Sequence, residues 1–165
     1  MEKPVLKVLL LREDAVLPTK RKEDSGYDIY TTQQDDEVLL QGEKYNFATG
    51  LKTEVPNDWG IILKEKGGMG NKNVSLRAGV VDAGYRGEMV VIMTNEDPKP
   101  VVFTRNPENY EALELTGKAT IVNLNKAITQ AMIVYTPDCE VIQLKSENEF
   151  SDSLRGKGKF GSSGK

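Results

Sequence analysis

The sequence predicts an all-β fold, a sandwich or barrel of short strands. Three observations carry the prediction. Segments rich in Val, Ile and Leu recur at spacings of roughly 8–12 residues, turn-forming residues separate them, and helical periodicity is almost absent. The chain has 165 residues, with 15 Gly and 7 Pro lying mostly between the apolar segments. That length suits one domain, able to bury a core without disulfides or a structural metal.

Taken in order, residues 5–11 (VLKVLLL) read as a first strand, closed off by Arg12, Glu13, Asp14 and Pro18. The loop Asp24-Ser25-Gly26-Tyr27-Asp28 runs into a strand at Ile29-Tyr30. Residues 38–40 and then 44–53 make two more, with Gly42 and Gly50 as punctuation. Residues 60–63, 74–81 and 88–94 follow, the last reading EMVVIMT. Residues 119–124 and 127–135 (AITQAMIVY) complete the set. One short helix is expected near 107–113, where Pro107-Glu108 supplies a first turn. These elements form a single domain over 1–150, with 96–123 as a structured excursion. The Asp97-Pro98-Lys99-Pro100 and Asn106-Pro107 segments argue there against an extended strand. The tail 151–165 (SDSLRGKGKFGSSGK) has almost no apolar content and should be mobile in the free protein. Its large apolar residue, Phe160, suggests ordering on binding.

Composition excludes several kinds of chemistry. With no His, the chain cannot use a Ser-His-Asp or Cys-His nucleophile, a His acid–base or a His-containing zinc site. Cys139 alone forms no internal disulfide and no Cys-only metal site, which suits a reducing cytoplasm. Catalysis must fall to carboxylates, hydroxyls, amides, Lys or Arg, and a metal would be a hard, oxygen-bound ion, Mg²⁺ first. Lys and Arg number 22 against 25 Asp and Glu, a net charge of −3 that argues against general nucleic-acid binding. No stretch reaches the ~18 apolar residues of a membrane span, and the N-terminus lacks a secretory cleavage pattern.

Four segments carry candidate chemistry. Asp24 to Asp28 combines carboxylates with turn residues. Asp82-Ala83-Gly84-Tyr85-Arg86-Gly87 lies between two apolar runs and reads as a hairpin tip, presenting a carboxylate beside an aromatic ring. Lys64 to Lys72 sets lysines around Gly67, Gly68 and Gly70, a pattern that can aim N–H groups and ammonium charge at phosphate. Arg155 to Lys165 could clamp phosphate while Phe160 stacks on a base. It lacks the Walker A spacing. Each segment alone is also ordinary loop chemistry; their order along the chain is more informative.

Read together, they resemble the five motifs of the trimeric deoxyuridine triphosphatase (dUTPase) family, from about residue 17 to the C-terminus. Asp24 to Asp28 is similar to the first motif, and Ala48-Thr49-Gly50-Leu51 with Val55-Pro56 to the stretch before the second. Residues 79–88 (GVVDAGYRGE) closely resemble the third, 128–133 (ITQAMI) the fourth, and Arg155-Gly156 through Gly164 the fifth. The resemblance implies a jelly-roll-like β fold, a homotrimer with shared active sites, and Mg²⁺-dependent hydrolysis of dUTP to dUMP and pyrophosphate. Asp82 would be the general base. Tyr85 would pack under the deoxyribose and exclude a 2′-hydroxyl. Gly79, Val81 and the backbone from Leu76 to Val80 would read uracil. Asp28 would reach the metal through water, and Gln130 would contact the phosphate region. Arg155, Ser162 and Ser163 would clamp the γ-phosphate while Phe160 and Gly161 close over the base.

Two departures from the family pattern bear on activity. The Arg-Ser pair of motif two falls here on Lys66-Gly67, followed by Gly68. Lys binds phosphate as a point charge rather than a planar fork, and Gly67 has no hydroxyl to donate; losing one such donor commonly costs about 10²–10³ in rate. In motif five a Gly is replaced by Lys159. The excursion 96–123 resembles insertions in phage-encoded dUTPases, some of which bind regulatory proteins. The sequence therefore supports two readings, an active dUTP pyrophosphatase and a weakened dUTPase-fold nucleotide-binding protein acting through a partner. A dCTP deaminase relative fits less well, since Asp82 with Tyr85 three places on is the dUTPase arrangement.

Overall fold

The structure, a computed structural model, describes residues 3–153. Its strands are β1 (Lys7–Leu10), β2 (Tyr27–Ile29), β3 (Glu37–Leu39), β4 (Lys44–Ala48), β5 (Leu51–Glu54) and β6 (Trp59–Glu65). After a single helical turn, α1 (Gly67–Gly70), come β7 (Val74–Arg77), β8 (Val80–Val81), β9 (Val90–Asn95) and β10 (Val101–Thr104). A 3₁₀ turn at Pro107–Tyr110 leads into α2 (Glu111–Leu115), followed by β11 (Thr120–Asn123) and β12 (Thr129–Tyr135). Neighbours within the four sheets run β1-β5, β11-β10-β3, β2-β12-β6-β8 and β4-β9-β7. This is the expected all-β architecture.

Phe47, Phe103, Ile29, Leu51, Ile61 and Met93 are fully buried and join the sheets into one core. The rings of Phe47 on β4 and Phe103 on β10 stack with centroids 4.7 Å apart, linking two of the sheets. Asn95, at the end of β9, is also fully buried. Its amide donates to the carbonyls of Leu39 and Lys99, both at 2.8 Å, and its oxygen accepts the Asp97 N–H at 2.7 Å. One polar side chain thus satisfies three backbone groups where two sheets meet.

Several sequence expectations need correction. Residues 44–53 do not form one strand: Gly50 has φ +70° and ends β4 before β5 begins. Residues 74–81 divide likewise, at Ala78 (φ 59°) and Gly79 (φ 106°). The halves join different sheets, β7 with β9 and β8 with β6. Asp82 to Gly87 is therefore not a hairpin tip, because β8 and β9 do not pair and Gly84 has no positive φ.

The segment 96–123 also differs from the expected excursion. All four residues of β10 are buried, and this strand pairs with both β3 and β11. Pro98, Pro100 and Pro107 flank β10 instead of interrupting it, so the argument from proline fails. The β10–β11 pairing is parallel, and a parallel pair needs a crossover of a dozen or more residues. Residues 105–119 are that crossover, and the expected helix lies within it. Tyr110 fastens it to the body by donating its hydroxyl to Asp36 at 2.7 Å.

Replacing Asn95 with Ala should leave these three backbone groups without their partner, the buried Leu39 carbonyl among them, and cost about 1–3 kcal/mol of stability. Urea unfolding of Asn95→Ala beside the parent checks this through a lower midpoint at unchanged slope.

Candidate functional site

The structure gathers the candidate residues into two places. At the first, β12 lies between β2 and β6, so Gln130 stands opposite Asp28 on one side and Lys64 on the other. Lys66 follows directly on β6 and caps the α1 turn, accepting the Met69 N–H at 2.8 Å on its carbonyl. Buried Met69 anchors this glycine-rich turn to the core. The Lys66 ammonium makes a short ion pair with the Asp28 carboxylate, both side chains being about one-third exposed. Gln130 donates from Nε2 to the Glu65 carbonyl at 2.9 Å. Its side chain lies against Gly26, where a Cβ would come within 2.8 Å of Oε1.

Two grooves open on either side of this ion pair. One, of about 660 Å³, is lined by Lys20, Arg21, Asp24, Ser25 and Gly26, with Asp28, Lys66 and Gln130 at its edge. The other, of about 640 Å³, runs past Tyr30, Gly68, Lys72 and Lys126 toward the 105–119 crossover. Gly67 sits at the start of α1, and a Cβ there would meet nothing within 4 Å. Lysines, amides and backbone therefore line both grooves together with the carboxylates of Glu23, Asp24, Asp28 and Glu114, and the cations among them could meet a polyphosphate.

At the second place, a cleft of about 240 Å³ contains Gly79, Val81, Asp82 and Tyr85, with Arg77 and Glu88 beside them. Asp82 and Tyr85 are both exposed. The backbone is tightly specified: Gly79 accepts the Leu63 N–H at 2.7 Å, and its own Cβ would lie 2.9 Å from the Leu63 carbonyl oxygen. With φ +106°, the position needs glycine on both counts. Among the described residues, the two places share no lining residue within one chain. The expected roles of Arg155, Phe160, Gly161, Ser162 and Ser163 lie outside the described residues.

Glu65 is a supporting residue that reading the sequence alone did not single out. Its carbonyl holds Gln130, and its carboxylate accepts the Leu76 N–H at 3.0 Å, tying β6 to β7. That bond, with its own backbone N–H second, holds the carboxyl below its ordinary value of 4.5. Its adjacency to Lys66 was the available signal; its partners are set by tertiary structure.

Among solved structures, the dUTPase of Staphylococcus bacteriophage 80alpha with dUPNHPP superposes with a TM-score of 0.72 at 25% identity, over 97% of this chain and 98% of that one. The dUTPase from phage phi11 of S. aureus gives 0.67 at 21% identity, over 88% and 99%. The architecture is thus the dUTPase jelly roll. A dUTPase family profile matches residues 12–106. The chain is 31% identical to the deoxyuridine 5′-triphosphate nucleotidohydrolase of Clostridium tetani over 100% of both proteins. It is 29% identical to that of Nautilia profundicola over 97% of this chain and 99% of that protein. The chain belongs to the dUTPase family. Among the described residues, no helix is long and apolar enough to cross a membrane.

Because the folded protein depresses the Glu65 pKa, ionised Glu65 contributes stability above about pH 4.5 that is lost as pH falls through its folded pKa. Glu65→Gln should therefore melt below the parent at pH 7, with the gap closing on acidification through that range. A gap independent of pH, measured by calorimetry, would remove Glu65 ionisation from the account.

Proposed function

We propose that this protein hydrolyses dUTP to dUMP and pyrophosphate with Mg²⁺, limiting uracil incorporation into DNA. The observation that carries the reading is Asp82 and Tyr85 in one cleft, beside the backbone turn at Ala78-Gly79. Asp82 accepts the proton of a water that attacks the α-phosphorus, and the bond to the bridging oxygen of the leaving pyrophosphate breaks. Tyr85 supports the deoxyribose, and the backbone from Leu76 to Val80 supplies uracil contacts. Lys66 and Gln130 face the phosphates, with Gly67 and Gly68 allowing close approach. Arg155, Ser162 and Ser163 hold the γ-phosphate, and Phe160 with Gly161 covers the base.

The donor set fits a metal carried by the substrate. Among the described residues, no three His, Cys, Asp or Glu side chains cluster as a metal cage, and Mg²⁺ is commonly held by one or two carboxylates plus phosphates. Asp28 would reach it through water. When bound, the ion supplies charge neutralisation of the triphosphate. The separation of the two places within one chain supports a homotrimer, in which the Asp82 cleft of one copy faces the Asp28–Lys66–Gln130 groove of another.

A second reading rests on Lys66-Gly67: the ammonium is engaged by Asp28 and Gly67 offers no hydroxyl. Slow turnover would then leave a nucleotide-binding protein that acts through a partner.

Pyrophosphate release from dUTP with Mg²⁺ tests both. Asp82→Asn should abolish release while sparing dUTP binding, and undiminished release would remove Asp82 as base. If motif two limits the parent, Gly67→Ser should raise kcat by about tenfold or more. Tight binding with negligible release in the parent would favour the second reading.

A further inference from the structure

We infer that Gly87 is a positioning residue for substrate selection, because it lets the Tyr85 ring lie back against its own loop in the pose that meets the sugar. The inference rests on the proposed role of Tyr85 under the deoxyribose. A Cβ built at Gly87 would lie 2.2 Å from Tyr85 Oη, 2.4 Å from Cζ and 2.9 Å from Cε2, the tightest approach at any described glycine. Gly87 has no positive φ, so the position requires empty space and not unusual backbone freedom. The ring is held there by its hydroxyl, which donates to the Glu88 carbonyl at 3.1 Å.

The loop cannot easily move to admit a methyl group. Tyr85 N–H donates to the Asp82 carbonyl at 3.0 Å, and Arg86 donates to the carbonyls of Ala83 at 2.6 Å and Tyr85 at 3.1 Å. Arg86 also pairs with Glu54 on β5 at 3.4 Å. Downstream, the Glu88 carboxylate accepts the Gly50 N–H at 2.7 Å, while Met89 bonds to Leu51 and Thr49 at 2.8 and 2.6 Å. The Tyr85 ring is half-exposed and is held by its hydroxyl bond to the Glu88 carbonyl at 3.1 Å. A methyl group at Gly87 therefore displaces the ring and leaves the loop in place. Gly84, in the same loop, provides the contrast: a Cβ there meets nothing within 4 Å.

The test is the ratio of dissociation constants for α,β-imido-dUTP and α,β-imido-UTP, measured calorimetrically on the full chain. Turnover of dUTP is followed in parallel. The parent should prefer the deoxy analogue. Gly87→Ala should lower that preference by roughly ten- to a hundredfold, the scale of a 1 Å misplacement, whereas Gly84→Ala should stay within about twofold. Because Gly87 acts through the ring, adding Gly87→Ala to Tyr85→Ala should change the ratio no further. Additive losses, an equal loss from Gly84→Ala, or unchanged preference in Gly87→Ala would each overturn the inference. So would a parent without sugar preference. If Gly87→Ala alone does not fold, the double variant decides: removing the ring should restore folding, and failure to do so rejects the role. A parent that binds dUTP selectively but does not turn it over defeats the enzymatic reading and leaves this test intact.

Discussion

The register of β12 between β2 and β6 is the constraint on which the candidate site depends. Thr129 and Ala131 are buried, while Gln130 between them faces outward beside Asp28. Thr129 further fixes the alignment by donating its hydroxyl to the Lys64 carbonyl at 2.7 Å. Because side chains alternate with period two, a slip of one residue would bury Gln130 and expose its apolar neighbour. Core burial thus selects the register, and the register places an amide beside a carboxylate and an ammonium. Gly26 completes this arrangement by leaving room for the Gln130 side chain.

The Asp28–Lys66 pair is better understood as occupancy than as a source of stability. Both groups remain about one-third exposed, and pairs of that kind contribute little net free energy to folding. On the proposed reading, a triphosphate entering this groove would compete with Asp28 for the ammonium. Arg could divide a planar fork between carboxylate and phosphate; Lys offers one point charge to both. On that reading, Lys in place of Arg would change how a triphosphate and Asp28 share positive charge, independently of the hydroxyl that Gly67 lacks.

Most strands were legible because apolar runs and turn residues repeat along the chain, and the spacing of Asp82 and Tyr85 placed them in one cleft. The errors fall where tertiary structure overrides local pattern. The strand-like composition of 74–81, with Val74, Leu76, Val80 and Val81, hides two consecutive left-handed residues, Ala78 and Gly79, that move β8 into another sheet. β10 was concealed by its flanking prolines, although its four buried residues form the middle strand between β3 and β11. Glu65 and Gly87 lie inside segments the sequence marks, but neither residue's own role was legible there. Their importance lies in contacts with Leu76 and Gln130 in one case and with the Tyr85 ring in the other, and such contacts exist only after folding.

On the proposed reading, one chain would hold the parts of a site without completing it. Asp82 is exposed at a small cleft, where water screens its charge and, on the proposed reading, would compete for the proton it accepts as base. Val80 and Val90 also line this cleft and remain 67% and 38% exposed. Covering these side chains with a second copy would remove apolar surface from water while bringing the Asp28–Lys66–Gln130 groove toward Asp82. Assembly and catalysis would then draw on the same surface: burial of the valines stabilises the contact, and the resulting exclusion of water strengthens the electrostatics around the reacting phosphate.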